Sequence, residues 1–160
     1  MIAITPTVTP VVSHEVKSVY EFIQDGVKYT VDGKDVKLDP STNELNAAEL
    51  LKKELGGDIR LMPKVAGRYR NIGTPDFLYN NARLDLKVLT GKSKNLIENR
   101  IHKSKNQAEN FMLDISNTPL SEKEIIRQAN QVFYNKHLDF VDYLIITKNG
   151  KIIKIIQRVK

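Results

Sequence analysis

Alternation of apolar and polar residues predicts a β-hairpin near the middle of the chain. Its two alternating runs, Pro75–Tyr79 and Ala82–Val88, are separated by Asn80-Asn81. Asparagine tolerates the left-handed backbone conformation that a tight two-residue turn requires. With such a turn, Asp76 on the first strand is expected to lie directly opposite Asp85 on the second, with both side chains on one face.

The two faces of this predicted hairpin differ in their chemistry. One face carries Asp76, Asp85 and Lys87, whereas the other is almost entirely apolar. Because like charges directly across a strand pair are destabilising, a structural role gives no reason for the two aspartates. Binding of a divalent cation would explain them, since hard cations bind carboxylate oxygens and often bridge them to phosphates. The alternative interpretation is a solvated face with scattered charges.

Hydrophobic periodicity predicts the remaining helices and strands. Helical spacing predicts helices at His14–Gln24, Thr42–Leu55 and Asn95–Asn110, and one after the capping motif Ser121…Glu124. Apolar runs predict strands at 27–31, 34–38, 58–65, 111–115, 141–147 and 151–157, in addition to the two strands of the central hairpin. The strands at 27–31 and 34–38 are expected to pair as a small hairpin, and the last two to be central in the sheet.

This order of elements predicts an α/β fold with a mixed central β-sheet flanked by helices. Residues 1–41, with a loose Thr- and Pro-rich tail, a short helix and a small hairpin, are expected to form a linker or accessory region, and residues 42–160 one domain. The absence of cysteine excludes disulfides and thiolate metal sites. We expect no membrane span, because no apolar run is long enough, and no signal peptide.

The chain is basic, with a formal net charge of +6, which favours a polyanionic partner such as nucleic acid. Positive charge is concentrated in a loop before the central hairpin and in a segment after it. The residues concerned are Arg68 and Arg70 in the loop and Lys92, Lys94, Arg100, Lys103 and Lys105 in the segment. Such side chains contact phosphates without reading sequence. The alternative is an ordinary charged surface.

Glu44 is the third carboxylate of interest. At about 100° per residue it falls within the apolar stripe of its predicted helix, together with Ala48 and Leu51. A carboxylate on the core side of a helix is costly unless another group pairs with it. Alternatively, Glu44 lies in the first turn, is favoured there by the helix dipole and stays solvated.

The order of these elements and residues resembles the core of the PD-(D/E)xK nuclease superfamily. The matching residues are Glu44, Pro75-Asp76, Asp85-Leu86-Lys87 and Gln107. The resemblance implies a restriction-endonuclease-like αβββαβ core over residues 42–116. From Val27 to the C-terminus the chain is more closely similar to the C-terminal toxin domains of contact-dependent growth inhibition and related polymorphic toxins. The motifs that carry this likeness are Asn43-Glu44…Ala48…Leu51, Thr74-Pro75-Asp76-Phe77, Leu84-Asp85-Leu86-Lys87 and Asn106-Gln107-Ala108. One difference is Asp85, where the superfamily often has glutamate.

These resemblances imply a metal-dependent nuclease toxin that acts on RNA, with tRNA as the expected substrate. The implied catalytic residues are Glu44, Asp76, Asp85, Lys87 and Gln107. Asp76, Asp85 and the main-chain carbonyl of Leu86 would bind Mg²⁺ or Mn²⁺. The domain would be delivered as part of a larger carrier polypeptide, act in the cytoplasm of a target cell and be neutralised by a dedicated immunity protein.

Three other functions are compatible with the same residues. One is a metal-dependent DNA endonuclease of a mobile element or phage. Another is a metal-independent ribonuclease that uses His102 as a general acid or base. The third is a nucleic-acid-binding module without catalysis. It would keep binding nucleic acid after loss of Asp76 and would bind it more tightly, because removal of a negative charge makes the basic surface more positive.

Overall fold

A seven-stranded mixed β-sheet forms the centre of the protein. The computed structural model describes residues 16–66 and 72–159. In chain order the elements are β1 (Val16–Ser18), β2 (Glu21–Gln24), β3 (Val27–Thr30), β4 (Val36–Lys37), α1 (Thr42–Glu54), β5 (Ile59–Leu61), β6 (Lys64–Val65), β7 (Phe77–Tyr79), β8 (Ala82–Val88), α2 (Leu96–His102), β9 (Asn110–Asp114), α3 (Glu122–Val132), a 3₁₀ turn (Lys136–Leu138), β10 (Tyr143–Lys148) and β11 (Lys151–Gln157).

The strand order in this sheet is β1-β5-β7-β8-β9-β10-β11. Strands β8, β9 and β10 run parallel to one another, as do β1 and β5, whereas the other neighbouring pairs are antiparallel. The predicted α/β class with a mixed central sheet is therefore confirmed. Elements α1, β5, β7, β8, α2 and β9 follow one another along the chain, with the short β6 between β5 and β7.

The central hairpin of β7 and β8 has the predicted turn and register. Phe77 pairs with Leu84 and Tyr79 with Ala82. Asn80 and Asn81 have φ values of 51° and 67°, the left-handed conformation expected of a two-residue turn. Strand β7 begins at Phe77 and not at Pro75 as predicted, so Asp76 lies just before β7.

Helices cover both faces of the sheet, and each face has its own apolar cluster. On one face Leu51 of α1 packs with Ile59, Phe77 and Leu84. On the other face α2 and α3 pack against residues of β9 and β10, including Phe111. Burial of one such large apolar side chain contributes about 1.5–3 kcal/mol. The two clusters therefore fix the helices on either side of β8, the strand that carries Asp85 and Lys87.

The predicted helix at His14–Gln24 is wrong, because the chain forms β1 and β2 there. Val16 pairs with Ile59 in the main sheet, and a long-range contact of this kind overrides local periodicity. Ile23 is 73% exposed, so the apparent helical stripe is not an inner face. The division at residue 41 stays a prediction, although β1 hydrogen-bonds into the main sheet.

The small N-terminal hairpin also differs from the prediction. Strand β3 pairs with β2 through a turn at Asp25 and Gly26, whose φ values are 54° and 78°. Strand β4 instead pairs with β6. The Asp32 carboxylate accepts bonds from the main-chain N–H groups of Lys34, Asp35 and Val36, which turns the chain away from β3.

Two further predictions need correction. The helix expected at Asn95–Asn110 ends at His102, and residues 103–107 form turns before β9 begins. An earlier end is required because β9 must start beside Leu84, where Asn110 pairs with it in parallel. Strand β11 was expected to be central, but it lies at the sheet edge and pairs with β10 alone among the described strands. Its many isoleucines are explained by packing on both faces of the sheet, with Ile153 and Ile156 on one apolar cluster and Ile152 and Ile155 on the other.

No helix in the described ranges is both long and apolar enough to cross a membrane.

Candidate active site

Asp76 and Asp85 come together at the start of the central hairpin, and each is held by the main chain of the other strand. The Asp85 Oδ1 atom accepts a 3.1 Å bond from Asp76 N, and Asp76 Oδ2 accepts a 2.8 Å bond from Leu86 N. These bonds offset the repulsion expected of two opposed carboxylates. The Asp85 side chain is only 4% exposed and that of Asp76 11%.

Lys87 forms an ion pair with Asp85 inside this site. Its Nζ atom lies 2.7 Å from Asp85 Oδ2, and its side chain is 14% exposed. Both residues belong to β8 and are separated by one position, so their side chains extend from the same face. Because removal of one partner leaves an unpaired buried charge, breaking such a pair typically costs about 3–5 kcal/mol.

Glu44 joins the site from the first turn of α1. Its Oε1 atom accepts a 2.9 Å bond from Ser41 N, and the Ser41 hydroxyl accepts a 3.1 Å bond from Glu44 N. The side chain is nevertheless only 13% exposed. Burial, followed by the neighbouring Asp76 carboxylate, raises the pKa of Glu44, against the lowering effect of Ser41 N–H and Lys64. Glu44 therefore both caps the helix and points inward.

Lys64 of β6 is a site residue that the sequence did not indicate. Its Nζ atom lies 2.6 Å from Asp76 Oδ1 and 2.9 Å from Glu44 Oε2, so it bridges two carboxylates. Burial lowers the pKa of this ammonium, but the bonds and charges of Asp76 and then Glu44 outweigh that effect and raise it. Lys64 follows Pro63 in a run predicted as one strand, and only the β4–β6 pairing brings it here.

These side chains line an open cleft of about 340 Å³, which we call the carboxylate cleft. Its described lining consists of Glu44, Lys64, Val65, Ile72, Thr74, Asp76, Asp85, Leu86, Lys87 and Gln107. All five candidate catalytic residues therefore meet in one place. Gln107 contributes from a turn after α2 and not from a helix face.

Two further residues that the sequence did not indicate hold the segment that leads into the carboxylate cleft. A Cβ atom added to Gly73 would lie 2.7 Å from the main-chain oxygen of Asn106, so only glycine fits there. The side-chain amide of Gln24 donates a 3.0 Å bond to Gly73 O. Strand β2 is thereby attached to the segment that leads to Asp76, and Asn106 is followed directly by Gln107.

The carboxylates of the cleft have the chemistry that a hard divalent cation requires. Within residues 16–66 and 72–159, no three His, Cys, Asp or Glu side chains are grouped in a ready metal site. The Lys64 ammonium lies instead where oxygens of Asp76 and Glu44 converge, so the positive charge at this point belongs to a side chain of the protein. The donor set fits a divalent cation provided that Lys64 moves away.

None of the described residues predicted to bind phosphates is part of the lining of the carboxylate cleft. Lys92, Lys94, Lys103 and Lys105 are exposed near α2, and His102 is exposed at its end. Arg100 donates a 3.1 Å bond to Val88 O, one residue beyond Lys87, and so supports the end of β8. Arg68 and Arg70 lie outside the described residues.

Comparison with known proteins supports the resemblance to the toxin domains of contact-dependent growth inhibition. A family model described as the contact-dependent growth inhibition CdiA C-terminal domain matches residues 73–152, which is half of the chain. The match includes Asp76, Asp85, Lys87 and Gln107. Glu44 and Lys64 precede it.

Among solved structures, the chain is similar to one in the CdiA-CT/CdiI toxin and immunity complex from Burkholderia pseudomallei. The TM-score is 0.55 and the sequence identity 23%, over 72% of this chain and 82% of that chain. At this identity the likeness shows a shared fold. A search of the curated proteins gave no match.

Proposed function

The chain belongs to the family of contact-dependent growth inhibition CdiA C-terminal domains, and from this membership and the carboxylate cleft we propose that it is a nuclease toxin. The proposed reaction is hydrolysis of phosphodiester bonds in RNA, with tRNA as the expected substrate. The observation that carries the proposal is the meeting of Asp76, Asp85 and Lys87 with Glu44 in one open cleft. We also propose membership of the PD-(D/E)xK superfamily, whose motif residues are the ones that meet here.

The proposed cofactor is Mg²⁺ or Mn²⁺, held by Asp76, Asp85 and the main-chain carbonyl of Leu86. When bound, such a cation polarises a phosphate and lowers the pKa of a coordinated water. The protein's own contribution is to hold the carboxylates in place. The main-chain bonds to Asp76 and Asp85 do this before any ligand arrives, which limits the cost of reorganisation.

Lys87 is the proposed group for orienting the attacking water or stabilising charge that develops on the phosphate oxygens. The Asp85 carboxylate fixes the position of its ammonium at 2.7 Å. Glu44 is proposed to complete the outer part of the cation site, and Gln107 to orient the substrate from the opposite wall. Outer groups of this kind keep metal ligands in the right orientation.

The substrate backbone is proposed to run over the basic surface next to the cleft. The residues proposed to contact phosphates are Lys92, Lys94, Arg100, Lys103 and Lys105, together with Arg68 and Arg70. The net charge of +6 supports a polyanionic substrate. The preference for RNA, and for tRNA in particular, rests on the family resemblance.

Delivery and neutralisation follow from the same family. We propose that the domain is carried by a larger polypeptide, acts in the cytoplasm of the target cell and is neutralised by a cognate immunity protein. The similar solved structure is of a toxin and immunity complex, which supports an immunity partner for this chain as well.

The proposal is tested by incubating the protein with total RNA and with plasmid DNA, each with Mg²⁺ or with excess EDTA. We expect RNA cleavage in Mg²⁺ only, and its loss in Asp76→Asn and Lys87→Met. Asp139→Asn, a change on an exposed residue away from the cleft, serves as control and should keep full activity. Circular dichroism checks that all variants are folded.

Each alternative function gives a different result in this experiment. Cleavage of DNA alone would support the DNA endonuclease. Full cleavage in excess EDTA that is lost in His102→Ala would support the metal-independent ribonuclease. Binding without cleavage that persists in Asp76→Asn would support a non-enzymatic module. Any of these three results contradicts the proposed RNA-cleaving metalloenzyme.

A further inference from the structure

A second cavity, of about 250 Å³, lies between α1 and the sheet, and we call it the α1 pocket. Its floor is apolar and includes Leu86 and Met112. Its polar lining includes Asn43, Asn46 and Thr147. A mostly apolar cavity with a few polar groups is the usual form of a small-ligand site.

The position of the α1 pocket in the sheet also favours a ligand. Leu86, Asp114 and Thr147 lie toward the carboxyl ends of β8, β9 and β10, which run parallel to one another. In open α/β sheets, ligands bind preferentially outside the carboxyl ends of parallel strands. The pocket therefore lies where this kind of sheet binds small molecules.

One polar group of the α1 pocket, the Asp114 carboxylate, is held in place. Asp114 Oδ1 accepts bonds of 2.9 Å from Ser116 N and 2.6 Å from Ser116 Oγ, and that hydroxyl accepts a 2.8 Å bond from Asn149 N. This network joins the end of β9 to the β10–β11 turn. Asn43 and Asn46 are one helical turn apart on α1, so their amides can face one ligand.

The α1 pocket adjoins the carboxylate cleft. Leu86 lines both cavities, and its side chain packs on the α1 side of β8, opposite to the side chains of Asp85 and Lys87. The two cavities approach each other at the start of α1, where Asn43 of the pocket is the neighbour in sequence of Glu44 of the cleft. A nucleotide with its phosphate in the cleft would reach the pocket with its base past this end of α1. Amide and carboxylate groups hydrogen-bond the edges of unstacked bases in single-stranded RNA.

We propose that the α1 pocket binds a nucleobase next to the cleaved phosphate and favours bases with an exocyclic amino group. Asp114 supplies only acceptors when ionised, so it favours the amino groups of adenine, guanine and cytosine over uracil. Asn43, Asn46 and the Thr147 hydroxyl hydrogen-bond the remaining polar atoms of the base. This assignment rests on the proposed function, since it names the part of the RNA substrate that lies beside the cleft.

The test is a titration of the isotope-labelled full chain with AMP, GMP, CMP and UMP, followed by nuclear magnetic resonance in excess EDTA. We expect the first three to shift the side-chain amide signals of Asn43 and Asn46, and UMP to bind most weakly. Ribose 5-phosphate, which lacks a base, should leave these signals unchanged. Asn46→Ala should weaken binding about fivefold to tenfold, as expected for loss of one or two hydrogen bonds.

Two variants complete the test. Asn130→Ala, on an exposed position of α3, is the matched control and should bind like the unaltered chain. Asp114→Asn keeps an acceptor for Ser116 and adds a donor, so it should shift the preference toward UMP. The proposal is overturned if no nucleotide shifts the asparagine signals, or if ribose 5-phosphate shifts them equally. Because binding is measured without cleavage, the two proposals can fail separately. A chain that binds AMP in the α1 pocket but cleaves no RNA would contradict the proposed nuclease function and support the proposed nucleobase site.

Discussion

Two helices of this protein begin with the same local motif, a serine followed three residues later by a glutamate. In α1 these residues are Ser41 and Glu44, and in α3 they are Ser121 and Glu124. Both serine hydroxyls accept a 3.1 Å bond from the main-chain N–H of the glutamate. The two helix starts therefore share the serine bond, whereas the bond in the other direction, from Ser41 N to Glu44 Oε1, completes a capping box at α1.

The carboxylates of the two glutamates have different surroundings. Glu44 is 13% exposed, bridged to Asp76 through Lys64, and its pKa is raised by burial and by Asp76. Glu124 is 29% exposed, and its bonds to Arg127 and then Gln128 lower its pKa to about 2. A local motif thus determines where a helix begins, whereas long-range contacts determine what its carboxylate can do.

Among the differences between the two helix starts, the largest expected effect is on catalysis at Glu44. Glu44→Gln should lower the rate of RNA cleavage about 10–100-fold, as is typical for loss of a group that orients metal ligands. Glutamine can still accept the bond from Ser41 N, so the helix cap survives. Glu124→Gln is the matched control and should leave the rate unchanged. Equal rates for both variants, measured with Mg²⁺, would show that Glu44 is only a cap.

The same contrast shows what the sequence could predict. The hairpin register, the Asn80-Asn81 turn and the inward position of Glu44 followed from alternation and helical spacing, which are local signals. Lys64 was missed because its place depends on the pairing of β4 with β6, a contact that no local pattern encodes. Gln107 lies in the cleft, but in a turn and not in the predicted helix, since pairing of β9 with β8 ends the helix early.

A smaller effect is expected on cation affinity at Lys64. Lys64→Met should strengthen Mn²⁺ binding about tenfold, because the ammonium that bridges Asp76 and Glu44 no longer competes with the cation. Isothermal titration measures the affinity without any substrate. Lys52→Met, which removes a half-buried lysine paired with Glu49 at 3.2 Å, is the control and should not change this affinity. Weaker Mn²⁺ binding in Lys64→Met would mean that the lysine supports the site.

The two serine caps should contribute equally to stability. Ser41→Ala and Ser121→Ala each remove one bond of the same length, so each should lower the free energy of unfolding by about 1 kcal/mol. Urea denaturation of both variants measures this free energy. A clearly larger loss for Ser41→Ala would show that the cap of α1 also depends on the ion pairs of the carboxylate cleft.

The smallest expected effect is on the pH dependence of the free energy of unfolding, to which the two glutamates should contribute with opposite signs. The folded-state pKa of Glu124, about 2, lies below its ordinary value of 4.5, so its carboxylate stabilises the fold above pH 4.5 and loses that contribution as the pH falls toward 2. The pKa of Glu44 is raised, so its contribution is fully present at low pH and is lost as the pH rises through the folded-state value. Urea denaturation of the unaltered chain and each Glu→Gln variant between pH 3 and pH 7 should therefore show a stability difference that grows with pH for Glu124→Gln. For Glu44→Gln the difference should shrink with pH, and slopes of the same sign would contradict the contrast between the two carboxylates.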